Sequence, residues 1–349
     1  MFAFRLNTTT IEITREEIPI PVPKEDEVLV KVTAAGVCGS DVSAVYHPER
    51  VQLRALTGGD SLTMGHEAAG VVTELGSGVA ANYPELVVGT HVAMLGTNPC
   101  NEDSCDACLV DRGNLCWSKG WYGLTRDGAW AAYVAIRASS AVPVPTKVTI
   151  PPGVVAVATD AVLTPYHAVK TIANVRAGEN VLIIGSGGLG LNAVQIAKNC
   201  TEAACVIATD LREQSLGLAK EIGADHAVLP DKLAELISTH KLRVDVVVDF
   251  VGIPSTIKTA VTVVKRLGRV VIAGIGANVF EIPRQTAMAK EVQILPSMWG
   301  TRSELVEVLG AIGEGKITPK VETRPFDECI KVLEELRDGK LKSRVALIP

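Results

Sequence analysis

The 349-residue sequence has no excess of basic charge: 34 Lys and Arg stand against 39 Asp and Glu, for a net charge of −5. A mildly acidic, evenly mixed chain offers no basic face for nucleic acid and no polybasic arm for a membrane surface, so neither is expected as a partner. No apolar run approaches the ~18 residues of a membrane span, because turn residues interrupt each one. The opening stretch MFAFRLNTTT lacks the apolar core and cleavage site of a signal peptide and reads as a first strand. The chain is therefore expected in a reducing compartment, the cytoplasm. Eight cysteines in such a place point to metal ligands or free thiols rather than disulfides. Internal repeats and low-complexity segments are also missing.

What is present is enough apolar residue, 47 %, to build a sizeable core, and enough length for two domains at about 150 residues each. Residues 1–150 read as mostly β, with strands expected at 2–6, 11–18, 27–35, 68–75, 91–95 and 131–135. Gly, Pro, Asn and Asp separate them, as in a small Greek-key barrel with long loops. Residues 178–295 alternate strand and helix. Strands are expected at 181–184, 205–209, 227–229, 244–250, 269–274 and 292–295, with helices at 213–222, 232–239 and 255–266. That alternation predicts a doubly wound α/β parallel sheet, with ligands at the carboxyl ends of its strands. Residues 303–313 and 326–338 read as amphipathic helices and 345–348 as a strand. These last elements do not continue the alternation, so they are expected to pack back onto the first domain.

The stretch 181–198, VLIIGSGGLGLNAVQIAK, organises the second half. A buried strand runs into Gly185, Gly187 and Gly190 at the spacing G-x-G-x-x-G, with Gly188 and Leu189 inside the turn, and an apolar helix follows. Backbone N–H groups and the positive end of that helix form an anion site. Asp210 lies 20 residues past Gly190, at the end of the next apolar run, where a carboxylate can accept hydrogen bonds from a ribose diol. Strand, glycine turn, helix and acid together point to a dinucleotide. The bland alternative is an ordinary strand–helix turn that needs glycine.

Loops of the first half carry the other chemistry. Cys100, Cys105, Cys108 and Cys116 are spaced C-x4-C-x2-C-x7-C in a polar stretch with no apolar core of its own, which suits a structural zinc, with disulfides or redox thiols as the alternatives. Cys38 in VCGSD and His66 in GHEAAG are each uninformative alone; beside a nucleotide domain they suggest two zinc ligands delivered by different loops. Asp160 lies in an otherwise apolar run, ATDAVLTPYHAV, and must be paired, hydrogen-bonded, bound to metal or used as a helix cap. Pro165 is placed to kink the linking helix.

Taken together and in order, VCGSD, GHE, the cysteine cluster, the D-G-x-x-A-x-Y stretch at 127–133, the linking run and GSGGLG resemble the medium-chain, zinc-dependent alcohol dehydrogenase family over essentially the whole chain. The resemblance implies a GroES-like β-barrel catalytic domain at 1–155 with a structural zinc lobe at 97–118. A Rossmann coenzyme domain is implied at 156–298, and a return to the catalytic domain at 299–349. It implies two zinc ions per chain, NAD, a small alcohol, ketone or aldehyde as substrate, and a homodimer or homotetramer. The catalytic zinc falls to Cys38, His66 and Asp160, with Glu67 as a reserve ligand. The run T-D-A-x-L-T-P-Y-H-A is similar to that of secondary-alcohol enzymes. Ser40 matches the family's proton-passing hydroxyl, Thr164 its nicotinamide-side threonine and Arg344 an arginine that meets the pyrophosphate. The family's relay histidine is Ser43 here, leaving a ribose hydroxyl, water or His47 for the outer step.

Two departures stand out. The first gap of the cysteine cluster is x4 where the family has x2, which puts Glu102 at the position of a ligand; and segment 47–63 is longer than usual, beside the expected substrate entry. Asp210 favours NAD, since a carboxylate repels a 2′-phosphate, while Arg212 two residues on offsets part of that charge. A polyol dehydrogenase of the same family is the main alternative. A zinc-free enone reductase and a non-enzymatic nucleotide-binding relative are further ones. Trp121, Trp130 and Trp299 are candidates to line the pocket or simply to fill the core.

Overall fold

The segment EVLVKVTAAGV alternates too little to be a one-sided strand, and all but two of its residues are buried. It is a central strand, Glu27–Val37, in the computed structural model, which describes residues 1–48 and 60–349. The strands in chain order are β1 (Phe2–Asn7), β2 (Ile13–Glu17), β3 (Glu27–Val37), β4 (Ser61–Thr63), β5 (Ala68–Leu75), β6 (His91–Met94), β7 (Tyr133–Arg137) and β8 (Ala141–Pro143). They continue with β9 (Asn180–Ile184), β10 (Cys205–Thr209), β11 (His226–Val228), β12 (Val244–Asp249), β13 (Val264–Ile272), β14 (Gln293–Pro296), β15 (Val321–Pro325) and β16 (Arg344–Ile348).

The chain divides into two compact units. The first holds Met1–Asp160, Gly300–Gly313 and Pro319–Pro349; the second holds Ala161–Trp299 and Glu314–Thr318. In the first unit a seven-stranded sheet runs β15-β16-β3-β5-β6-β8 with β7 also on β3, and a three-stranded sheet runs β2-β1-β4. β3 pairs antiparallel with β5, β7 and β16, so the last strand of the chain lies against the strand that leads to Cys38.

The second unit is a six-stranded parallel sheet of order β11-β10-β9-β12-β13-β14. Its core is built from Leu182, Ile207, Val247, Val270 and the helix residues Ile257 and Val261, all fully buried. The apolar runs on β9, β10 and β12 are what a parallel sheet covered on both faces requires.

One expected helix ends early. The segment 255–266 is helical only over Pro254–Val263, because Val264 turns extended (φ −61°, ψ 142°) and pairs with Val244. β13 thus begins at Val264, with Leu267 in the left-handed region (φ 60°) and a register shift before Arg269 takes up the ladder opposite Val246. The linking run is not a uniform helix either. Asp160 lies in a widened π turn, Ala158–Val162, between the α-helical stretches Pro152–Val157 and Leu163–Tyr166. Such bulges recur at functional sites because they re-aim a side chain within a helix. Among the described residues, no helix is long and apolar enough to cross a membrane.

Candidate active site

β3 ends at Val37, and Cys38 becomes the N-cap of the helix Gly39–Tyr46. Three residues on, Asp41 reaches back: its carboxylate accepts the Cys38 N–H at 2.8 Å, the return half of a capping box. Its other oxygen is 3.1 Å from His66 Nδ1. His66 follows Gly65, whose φ of +93° makes the turn after β4 and whose missing side chain admits the ring of Trp130. With Nδ1 held by Asp41, the ring presents Nε2 to Asp160, 3.5 Å away. Asp160 Oδ2 is 3.2 Å from Cys38 Sγ. Donor atoms of Cys38, His66, Glu67 and Asp160 all lie within 4.8 Å of one another, and all four residues are buried.

This is a pocket rich in acidic groups, with the Arg344 guanidinium beside Glu67 and Asp160. Burial opposes protonation of His66, but the charge of Asp41 and the hydrogen bonds that His66 gives to Asp160, Asp41 and Cys38 outweigh it and lift its pKa well above the usual 6.5. Glu67 is fully buried; Oε1 pairs with the Arg344 guanidinium, while Oε2 has no partner. An unsatisfied buried carboxylate oxygen is costly, and together with a thiol, an imidazole and a second carboxylate it makes a donor set suited to a divalent cation. Gly36 is required for this packing, since a Cβ there would fall 1.8 Å from Glu67 Oε2.

Ser40 Oγ lies 3.8 Å from Cys38 Sγ, in the first turn of the same helix. Ser43 is nearly buried on that helix, and His47 ends it. Much of segment 47–63, residues 49–59, lies outside the described residues. Trp130 is fully buried and donates from Nε1 to the Gly36 carbonyl at 3.0 Å, so it supports the site from behind. Trp121 is also buried and packs on the Trp117 ring.

The four lobe thiols converge as a second group, again within 4.8 Å. Cys100 and Cys108 are 3.7 Å apart, and Cys105 and Cys116 are 3.8 Å apart. A zinc tetrahedron with Zn–S bonds of about 2.3 Å has edges of about 3.8 Å. All four cysteines are free of disulfides. Burial pushes the Cys116 thiol up, yet hydrogen bonds from Ser118 and the Cys100 N–H hold it down to about 6. The long first gap is absorbed locally: Asn101 turns left-handed (φ 56°), and the Cys105 N–H closes a turn on the Glu102 carbonyl at 3.0 Å. The Glu102 side chain is exposed and pairs with Lys119 at 3.4 Å.

In the second unit, β9 runs into Gly185 (φ +86°), and Gly187 is the N-cap of the helix Gly188–Asn199. Gly188 and Leu189 form its first turn. A Cβ on Gly190 would sit 1.8 Å from the Gly185 carbonyl, which is the close strand–helix approach that glycine permits there. Over Gly187 the nearest atom to an added Cβ is Arg212 Nη2, at 3.7 Å. Asp210, just past β10, accepts the Ser186 N–H at 2.8 Å and the Arg212 Nε at 3.1 Å. Its side chain is only 9 % exposed, against 51 % for Arg212. Thr164 is buried on the helical turn Leu163–Tyr166. Arg344, which the resemblance assigns to a pyrophosphate, is buried in the first unit, paired with Glu67 and 4.0 Å from Asp160.

Sequence reasoning passed over Asp41 and the Arg344–Glu67 pair. The first carried a usable signal, an acid three residues after the candidate N-cap Cys38. The second carried none, since its members are 277 residues apart.

The chain matches two family profiles, "Alcohol dehydrogenase GroES-like domain" over residues 24–146 and "Zinc-binding dehydrogenase" over 188–314. It is 31 % identical to an NAD-dependent alcohol dehydrogenase of Saccharolobus solfataricus over the full length of both chains, and 32 % identical to an alcohol dehydrogenase of Geobacillus stearothermophilus over 95 % of each. Among solved structures it is similar to the acetophenone reductase of Geotrichum candidum in complex with NAD (34 % identity, 100 % and 97 % of the chains, TM-score 0.87). It is also similar to the alcohol dehydrogenase of Aeropyrum pernix (30 %, 100 % of both, TM-score 0.89). With full-length similarity at this level joined to a GroES-like unit and a Rossmann unit, the chain belongs to the zinc-dependent medium-chain alcohol dehydrogenase family.

Proposed function

We propose that this enzyme interconverts an alcohol and the corresponding ketone or aldehyde, with NAD(H) as hydride carrier and two zinc ions per chain. The observation that carries it is the buried meeting of Cys38, His66 and Asp160 beside Ser40. Those three would hold the catalytic zinc, with Glu67 in reserve; Cys100, Cys105, Cys108 and Cys116 would hold the structural one. When bound, the catalytic zinc would supply Lewis-acid polarisation of the substrate oxygen and NAD would take up the hydride.

The protein's own groups do the rest. Asp41 holds the His66 ring by Nδ1, which orients it so that Nε2 faces the donor cluster, where it would serve a metal in place of a proton. Arg344 balances Glu67, so the pocket does not accumulate two uncompensated carboxylates. Ser40 Oγ takes up the proton of the alcohol as it is oxidised while passing its own hydroxyl proton outward, and the transfer runs in reverse when a carbonyl is reduced. With Ser43 where a relay histidine would stand, the outward step passes to water, a coenzyme ribose hydroxyl or His47. The helix end at Gly187, Gly188 and Leu189 would receive the pyrophosphate, Gly185 and Gly190 leave room for the approach, and Asp210 would take the ribose diol. Thr164 would contact the nicotinamide side.

A catalytic unit (Met1–Asp160, Gly300–Gly313 and Pro319–Pro349) and a coenzyme unit (Ala161–Trp299 and Glu314–Thr318), within a few residues of the expected 1–155, 156–298 and 299–349 except for 314–318, complete the proposal together with a homodimer or homotetramer and a cytoplasmic location. The comparisons give the polyol alternative no better support.

NADH absorbance over a panel of alcohols, ketones and aldehydes tests the activity, and metal analysis tests the sites. Two zincs per chain are expected; one per chain, with an inert panel, would leave only the lobe filled. Asp210→Ala is expected to lower the NAD/NADP ratio of kcat/KM by about tenfold, the scale of one lost charge-assisted hydrogen bond. An equal effect on both coenzymes would remove Asp210 from the ribose.

A further inference from the structure

The sheet order β11-β10-β9-β12-β13-β14 places the change of direction between β9 and β12. In an open parallel sheet the crevice for a ligand opens at that point, beyond the carboxyl ends of the two strands. β9 contributes the glycine turn. β12 ends at Asp249, opposite Ile184, the last residue of β9.

Asp249 is fully buried. One oxygen accepts the N–H groups of Val251 (2.8 Å) and Gly252 (3.1 Å), and the other accepts the Thr256 hydroxyl (2.6 Å). Burial pushes its carboxyl above the usual range, against the pull of those three hydrogen bonds. The backbone around it is zipped shut. The Asp249 carbonyl accepts from Ala273 and Gly274, and the Val251 carbonyl accepts from Gly276 at 3.0 Å. Gly252 (φ +70°) lies so close to Gly274 that a Cβ would sit 2.0 Å from its carbonyl oxygen. The outcome of all this is the position of Val251: its Cγ2 would be 2.7 Å from a Cβ on Gly185. The loop of residues 250–253 therefore lies directly on the first glycine of the turn.

We propose that Asp249 is a positioning residue for the coenzyme: its carboxylate, shared between the Val251–Gly252 backbone and Thr256, holds the loop of residues 250–253 against Gly185 as the second wall of the crevice. It touches no coenzyme atom itself; its effect passes through Val251. A buried acid used only for stability could be replaced by a neutral group of the same shape with little functional effect. An acid that aims a wall cannot. The proposal rests on the dinucleotide assignment of the glycine turn.

The test is NADH binding by fluorescence titration of the full-length, zinc-loaded enzyme. Asp249→Asn keeps the shape but puts an amide donor in the cluster; it is expected to raise the NADH dissociation constant about tenfold. Thr256→Val removes the donor to Asp249 and the acceptor of the Ile253 N–H in the same loop and is expected to raise it about threefold, while Thr256→Ser, which keeps both, restores affinity to within about twofold. KM for NAD should follow the dissociation constant, with kcat changed less than about twofold. Folded Asp249→Asn and Thr256→Val proteins that bind NADH as the native chain does would overturn the proposal, even if their melting temperatures fell. Should Asp249→Asn not fold, Thr256→Val alone decides. A native chain that binds no NADH would sink the coenzyme assignment itself, an outcome distinct from tight native binding that the variants leave untouched.

Discussion

Cys38→Ser is expected to lower kcat for alcohol oxidation by at least about a thousandfold while leaving NADH binding within about twofold of the native chain. The size follows from what the thiol holds together. Its Sγ is 3.2 Å from Asp160 Oδ2, and its backbone N–H binds the same Asp41 that orients His66. Serine keeps the backbone contact but replaces a soft anionic donor by a neutral hydroxyl, a poor zinc ligand at neutral pH. Losing Lewis-acid polarisation removes about 4 kcal/mol of transition-state stabilisation, and each 1.4 kcal/mol is about tenfold in rate. The glycine turn and Asp210 belong to the other unit. Steady-state kinetics, an NADH titration and zinc content on one preparation check this. Turnover within tenfold of native would reject Cys38 as a ligand.

Cys108→Ser is expected to do the reverse: lower stability strongly and leave chemistry per folded molecule nearly unchanged. The lobe has little else to hold it. Its short helix, Asp106–Leu109, buries no residue, and Leu109, Val110, Leu115 and Trp117 are all exposed. Four thiols with edges of 3.7 and 3.8 Å replace a core there. A structural zinc contributes its binding free energy to folding, and a loss of only about 3 kcal/mol of it lowers Tm by roughly 6–12 °C in a domain of this size. Calorimetry should show that drop together with the loss of one zinc per chain. A well-folded variant with native Tm but no turnover would move the lobe from a structural to a catalytic role.

Much of this molecule is legible without coordinates because the signals are local. The turn at Gly185, Gly187 and Gly190 is specified within six residues by backbone sterics, and Asp210 follows at the length of one helix and one strand. The cysteine cluster is likewise contained within a single loop, and its irregular first gap needs only a left-handed Asn101 and one tight turn. Strand positions on β3 and β10 follow from runs of apolar residues, which burial on two faces demands.

What the chain pattern leaves open is whatever depends on distant residues meeting. Asp160 reads as an awkward acid in an apolar helix; only the folded chain brings it to Cys38, 122 residues away, on a widened turn that no propensity signals. Arg344 reads as a charge on a closing strand, and pairing of β16 with β3 is what turns it onto Glu67. Asp249 lies unremarked inside the expected strand 244–250; its work depends on the order in which the strands are laid down, which places it across from the glycine turn. Local sequence determined which groups are available, because turns, caps and periodicity act over a few residues. Tertiary structure decided which of them share a cavity, because that depends on sheet order and on burial that makes an unpaired charge too costly to leave alone.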